Sequence, residues 1–169
     1  MMKIAILITS DAGECTARQL QHELHENVTL FSVVQREGCC RIDSVSTFVA
    51  SRFKEFDALV FISAMGICVR AIAPCVVSKY ADPAVINIDP SGRYVVPVLS
   101  GHVGGANHLA RHLARILGAE AVVTTQSDVA GLWALDLLAR EYGWKEEHIL
   151  SMNELIARFV NRQPTALLL

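Results

Sequence analysis

The sequence has no apolar run of the roughly 18–20 residues that a membrane-spanning helix needs. The nearest candidate, residues 58–69, stops at Arg70. The amino terminus passes directly into a strand-like apolar pattern and has no small-residue cleavage site, which argues against a signal peptide. We therefore expect no membrane partner and no export of the chain.

An excess of charge of either sign is also missing, since 15 Lys and Arg stand against 17 Asp and Glu. This balance gives no support to a nucleic-acid partner or an acidic membrane partner. The five cysteines are an odd number without any C-x-x-C pair, so neither a disulfide framework nor a zinc site is expected. Reduced thiols in the cytoplasm are the simplest interpretation.

Apolar residues make up 52% of the chain and charged residues only 19%, which is typical of strands covered on both faces. Strand patterns and helix patterns alternate, so we predict an α/β fold, a Rossmann-like three-layer sandwich with a mostly parallel sheet. Segments 84–88 and 93–99 flank a turn sequence at 89–92 and predict one antiparallel hairpin. Further strands are predicted at 3–9, 28–34, 57–62 and 119–124, and helices at 14–26, 44–56, 66–73, 105–117, 129–142 and 153–161.

The domain organisation predicted from these patterns has one main part. Residues 1–143 form an amino-terminal α/β domain, and residues 144–169 form the start of a middle region or a linker. The last of these residues, 165–169, read as the beginning of a strand.

Small polar residues follow four of the predicted strands, at 9–11, 63–66, 100–102 and 124–128. Open α/β sheets bind ligands at the carboxyl ends of their strands. We therefore expect the four polar segments to meet at one edge and to form a pocket.

The most informative segment is Ser100 to Asn107, where an apolar strand turns through glycines into a helix. Such a turn offers backbone N–H groups at a helix amino terminus, where an anion is favoured. His102 in this turn is a candidate general base or acid, and the alternative is a loop histidine bonded to a carbonyl. The glycines can equally serve a tight turn and close packing. Their spacing fits neither a dinucleotide fingerprint nor a phosphate-binding P-loop.

Several charged residues have both a functional and a structural interpretation. Arg70 is either a carboxylate or phosphate clamp or a solvated helix residue. Lys79 and Asp82, in a polar break before a strand, are more typical of the surface. Asp128 is interpreted first as a helix N-cap and only second as a ligand contact.

His108 and His112 have the i,i+4 spacing of a metal-binding pair. They fall opposite the apolar stripe of their helix, beside Arg111 and Arg115, and those cations would repel a metal ion. We interpret this face as solvated and expect no metal site.

Several ordered segments carry a family resemblance. They are 61–74 (FISAMGICVRAIAP), Lys79 with 82–85, 99–107 (LSGHVGGAN), 117–119 and 124–129. Over about residues 3–140 the chain resembles the amino-terminal part of the cobalamin-biosynthesis protein G family, the cobalt-precorrin-5A hydrolases.

The resemblance implies a hydrolase of the anaerobic route to cobalamin. It would open the ring-A lactone of a cobalt corrinoid and release acetaldehyde, with the cobalt carried by the substrate and no cofactor of its own. The residue roles are our hypothesis. His102 and Ser100 are the catalytic candidates. The substrate-binding candidates are Arg70, Lys79, Gly101, Gly104, Gly105, Asn107, Thr125 and Asp128.

Full-length members of the family continue into a separate carboxyl-terminal domain, so a partner domain or a homo-oligomer is implied. The main alternative to the hydrolase is a non-catalytic module that binds the tetrapyrrole for such a domain. A generic phosphate- or nucleotide-binding enzyme is a third possibility.

Overall fold

The computed structural model describes residues 1–145, 147 and 150–166. The chain divides into two compact units, Met1–Val122 and Val123–Leu169. The boundary predicted near Gly143 stays a prediction.

A seven-stranded sheet forms the centre of the first unit within the described residues. The strands are β1 (Lys3–Ile8), β2 (Asn27–Ser32), β3 (Cys40–Arg41), β4 (Ala58–Ile62), β5 (Ala84–Ile88), β6 (Tyr94–Leu99) and β7 (Glu120–Ala121). Their order is β3-β2-β1-β4-β5-β6-β7, and every neighbouring pair is parallel except β5–β6. The predicted fold class and the antiparallel hairpin are both confirmed.

Four helices of the first unit follow the sequence pattern closely: α1 (Ala12–Glu23), α2 (Val45–Arg52), α3 (Met65–Ile72) and α4 (Ala106–Leu117). Ser44 caps α2 by accepting the N–H of Thr47 at 3.1 Å. Single 3₁₀ turns at Phe53–Glu55 and Ala73–Cys75 end the predicted helical stretches. Gly118 ends α4 in the left-handed conformation, φ 64°, as its position predicted.

The core has two halves, one on each face of the sheet. Ile4, Ile6 and Ile8 of β1 pack with α1 and α4, whereas Ala5 and Leu7 pack with α2 and α3. Alternate residues of one strand therefore enter different halves of the core. Burial on both faces is the physical reason why β1 and β4 read as unbroken apolar runs.

Two strands differ from their predictions. The strand predicted at 119–124 has only two residues, Glu120–Ala121, because β6 offers it parallel pairing only at Tyr94 and Val95. The short edge strand β3 was not predicted, since its two exposed residues carry no alternating pattern.

The second unit contains α5 (Gln126–Val129), α6 (Leu135–Tyr142) and α7 (Met152–Val160). The single helix predicted over 129–142 is wrong: Gly131 takes a left-handed φ of 64° and separates α5 from α6. Thr125 occupies the N-cap of α5, so the prediction that Asp128 is an N-cap is also wrong. Of the strand predicted at 165–169, residues 167–169 lie outside the described residues, and 165–166 have no strand structure.

Candidate functional site

The reversed direction of β6 decides where the predicted site residues lie. We call the edge at which β1, β2, β4 and β5 end the carboxyl edge, and the edge at which they begin the amino edge. Because β6 runs antiparallel to β5, the loop 100–105 lies at the amino edge. The loops 9–11 and 63–66 follow β1 and β4 and lie at the carboxyl edge. The prediction that all the polar segments meet at one edge is therefore wrong, and a six-residue strand separates the two edges by about 20 Å.

The loop before α4 is held by its own backbone. Ser100 takes a left-handed φ of 58°, which is rare for a residue other than glycine. The N–H groups of Gly105, Ala106 and Asn107 donate to the carbonyls of His102 (2.9 Å), Ser100 (3.1 Å) and Gly101 (2.9 Å). These three amides therefore bond within the loop and stabilise it.

Two glycines of the loop are required by close packing. A Cβ on Gly104 would lie 2.4 Å from the Ser100 Cβ and 2.9 Å from its carbonyl oxygen. A Cβ on Gly101 would lie 2.8 Å from Oδ1 of Asn107, which is buried beneath the loop. Gly105 has space around it but takes a φ of 80°. Gly101 and Gly104 thus have a packing role, and the contact of the three glycines with a ligand stays a prediction.

An open groove of about 550 Å³ lies at the amino edge beside this loop. It is lined by Met1, Met2, Lys54, Phe56, Asp57, Tyr80, Ala81, Asp82, Pro83, Ala84 and Gly104. His102 is half-buried, two residues before Gly104. The Lys79 ammonium lies 5.0 Å from the centre of the Tyr80 ring. The amino edge thus has a cavity of the size that small ligands occupy, and its lining includes Gly104 but neither His102 nor Lys79.

Asp82 is the residue that sequence reasoning missed at this edge. It is only 5% exposed, although its sequence context favoured a surface position. Its Oδ2 accepts the N–H groups of Val77 and Ser78, both at 2.8 Å, and its backbone carbonyl accepts the buried Ser100 hydroxyl at 3.0 Å. Its Oδ1 is buried and has no hydrogen-bond partner among the described residues. Asp82 therefore fixes the segment that anchors Ser100. In the sequence, the position of Asp82 directly before Pro83 and a buried strand was the feature that could have indicated its burial.

The carboxyl edge has a different polar network. Buried Ser63 and Asn87 bind each other: the Asn87 amide donates to the Ser63 carbonyl at 3.1 Å, and the Ser63 hydroxyl lies 3.2 Å from the Asn87 side-chain oxygen. The Thr9 hydroxyl donates to the carbonyl of Ile62 at 3.0 Å and joins the loops after β1 and β4. Arg70 is exposed, and its guanidinium lies over Gly66 at the start of α3. Arg70 and His102 are therefore at opposite edges.

Ion pairs occupy the start of α1 at the carboxyl edge. Arg36 pairs with Asp11 and Glu14, and Arg18 lies 3.1 Å from Glu14. The hydrogen bonds from Arg18 and then Arg36 hold the pKa of Glu14 below its ordinary value. The charges here neutralise one another, so this helix start is not a free positive pole.

Thr125 and Asp128 belong to the second unit. The Thr125 hydroxyl donates to Oδ2 of Asp128 at 2.6 Å within the first turn of α5. Their contact with a substrate stays a prediction.

Cysteine and metal chemistry find little support in the described part of the chain. Burial raises the pKa of the Cys68 thiol to about 12, which keeps it protonated. Among the described residues, no three His, Cys, Asp or Glu side chains come together as they would around a metal ion. None of the described helices is both long and apolar enough to cross a bilayer.

The sheet order and the helices on both faces define a doubly wound, Rossmann-like α/β domain. Residues 47–128 match the family model "Cobalamin synthesis G N-terminal", and residues 133–169 match "Cobalamin biosynthesis central region". The chain belongs to the cobalamin-biosynthesis protein G family.

Curated relatives and a solved structure agree with this assignment. The chain is 42% identical over 137 residues to a cobalt-precorrin-5A hydrolase of Salmonella typhimurium, covering 80% of this chain and 39% of that protein. It is 38% identical over 144 residues to one of Priestia megaterium, covering 85% and 36%. A crystal structure of a cobalamin biosynthesis protein G homolog from Sulfolobus solfataricus superposes with a TM-score of 0.56 at 26% identity, covering 94% of this chain and 46% of that one. The chain thus spans less than half the length of these relatives.

Proposed function

We propose that this chain supplies the amino-terminal part of a cobalt-precorrin-5A hydrolase. The reaction is hydrolysis of the ring-A lactone with release of acetaldehyde. Cobalt enters as part of the corrinoid substrate, and no resident cofactor is invoked. The proposal places the reaction in the cytoplasm, following the expectation of reduced thiols, and leaves room for a partner domain or a second copy.

The observation that carries the proposal is the Ser100–Gly105 loop beside the amino-edge groove. The loop belongs to the segment on which the family resemblance is strongest, and two curated hydrolases match most of this chain. A strained, buried serine is stable only where its surroundings over-determine it, and such strain is concentrated at functional sites. Here Asp82 and Gly104 provide that constraint.

The chemical step assigns a role to His102. The imidazole removes a proton from a water molecule, whose oxygen adds to the lactone carbonyl carbon. The ring C–O bond then breaks, and the leaving alkoxide takes up a proton, which leaves a carboxylate and a hydroxyl group. In a second step the hydroxyl group loses its proton and becomes the carbonyl of acetaldehyde as its carbon–carbon bond to the macrocycle breaks, and the macrocycle takes up the electron pair and a proton. Ser100 anchors the loop through its hydroxyl, and Lys79 is assigned to bind a substrate carboxylate.

The test is turnover of cobalt-precorrin-5A under anaerobic conditions, with acetaldehyde as the measured product. We expect the wild-type chain to release acetaldehyde and the His102→Ala variant to lose about 100-fold or more in kcat, the usual effect of removing a general base. His25→Ala removes an exposed histidine and is the matched control, expected to keep full activity.

The results of this experiment test the hydrolase activity and the role of His102 independently. A wild-type chain that consumes no cobalt-precorrin-5A, either alone or joined to its partner domain, contradicts the proposed hydrolase. Full activity of His102→Ala eliminates His102 as the base and leaves the hydrolase intact.

A further inference from the structure

A second groove, of about 560 Å³, lies on the first unit along the outer side of α4. It is lined by His108, Arg111, Ala114, Arg115, Gly118, Ala119 and Ala121. None of these lining residues is acidic, and three of them are cationic or can become so. Small apolar residues form the rest of the lining.

The position of the basic residues follows from the helix period. Leu109, Ala110 and Leu113 are buried against the sheet, so His108, Arg111 and Arg115 fall on the opposite side. Arg115 in the last turn is favoured by the helix dipole, but that effect does not extend to Arg111 or His108. Like charges one turn apart destabilise a helix by a few tenths of a kcal/mol each, so the cluster needs another explanation.

We propose that this groove binds the carboxylate-bearing edge of the corrinoid substrate. This inference rests on the proposed function and adds the site that holds the substrate's anionic side chains. The guanidinium groups of Arg111 and Arg115 match carboxylates as paired hydrogen-bond donors. Ala114, Ala119 and Ala121 give an apolar floor for the hydrocarbon rim of the macrocycle.

The groove is connected to the candidate catalytic loop by one rigid element. Helix α4 begins next to Gly105, and Arg115 lies ten residues further along it. At 1.5 Å per residue, this separation is about 15 Å, which suits a macrocycle with its lactone at the loop and its carboxylates at the groove. Arg70, the clamp predicted from sequence, lies on α3, which packs on the other face of the sheet from α4, and does not offer this geometry.

The test compares two corrinoids that differ in their side chains. Cobyrinic acid carries free carboxylates, and cobinamide carries amides in their place. We expect Arg111→Gln and Arg115→Gln each to raise the Kd for cobyrinic acid about tenfold, and the double variant to raise it further. The control Arg41→Gln removes an equal charge from β3, at the other end of the sheet from β7, and is expected to leave the Kd within about twofold. Cobinamide binding should be insensitive to all four variants.

Titration by absorbance, with circular dichroism to confirm folding, gives decisive outcomes. A folded double variant that binds cobyrinic acid as tightly as the wild type overturns the proposed groove, as does an equal loss of affinity in Arg41→Gln. A wild-type chain that binds neither corrinoid also overturns it. Arginine-dependent binding without acetaldehyde release supports the groove and rejects the hydrolase, so the two failures are distinguishable.

Discussion

Two loops of this molecule carry similar sequences and are built differently. Each leads from a strand through a serine and glycine into a helix, at 63–66 on the carboxyl edge and at 100–105 on the amino edge. Ser63 is held by the side chain of Asn87, and only the mobile end of Arg70 lies over Gly66. Ser100 is left-handed, and its Cβ and carbonyl oxygen leave no room for a Cβ on Gly104. The comparison indicates that a serine and a glycine between a strand and a helix form a sterically constrained turn only where fixed atoms near the main chain pack against the glycine.

The largest effect expected from this comparison is that of Gly104→Ala. The new Cβ would lie 2.4 Å from the Ser100 Cβ and 2.9 Å from its carbonyl oxygen, and neither atom can move without the loop. We expect the free energy of unfolding to fall by about 2–3 kcal/mol. Thermal unfolding measures this as a decrease of roughly 5–10 °C in Tm.

Gly66→Ala is the matched control at the other edge. Its Cβ would meet only the guanidinium of Arg70, at 3.2 Å, and that flexible end can turn away. We expect a change in unfolding free energy within about 0.5 kcal/mol. Equal losses for the two variants would contradict the distinction between the loops.

Two substitutions of Ser100 have a smaller expected effect on stability, and together they distinguish its backbone strain from its hydrogen bond. Ser100→Ala removes the bond to the Asp82 carbonyl and keeps the unfavourable φ, with an expected cost of about 1–2 kcal/mol. Ser100→Gly loses the same bond but relieves about 1 kcal/mol of left-handed strain. Chemical denaturation should therefore give a higher free energy of unfolding for Ser100→Gly than for Ser100→Ala. The reverse order would contradict the presence of backbone strain at Ser100.

The smallest effect is a pH dependence at the carboxyl edge. Burial raises the pKa of Asp89, but hydrogen bonds from Ser91, Tyr94 and Arg93 outweigh burial and hold it below its ordinary 3.8. A lowered pKa in the folded state adds stability above pH 3.8, and this is lost as the pH falls through and below that value. Asp89→Asn should be less stable than the wild type at pH 6, by less than about 1 kcal/mol, and the gap should narrow near pH 3. A gap in Tm that does not change with pH would contradict this.

Most of the fold could be predicted from the sequence because its signals are local. The unbroken apolar runs of β1 and β4, the turn at 89–92 and the glycine after α4 each specify structure within a few residues. The break at Gly131 was missed because one glycine inside a helical pattern is ambiguous.

The candidate site was harder to predict because it depends on long-range geometry. The hairpin predicted at 84–99 already implies that β6 ends at the amino edge, and the prediction of one shared edge neglected that consequence. The burial of Asp82 depends on two backbone amides and the Ser100 hydroxyl, and no periodic pattern encodes these contacts. Secondary structure could therefore be predicted from the sequence, whereas the arrangement of the side chains could not.

The bond between Ser100 and Asp82 also bears on how the molecule folds. It joins residues only 18 positions apart, across the ends of a single hairpin. Contacts of such short sequence separation form at a low cost in loop entropy. The loop should thus order together with its hairpin, before the strand pairings of longer range, and in hydrogen exchange the two should open as one cooperative unit.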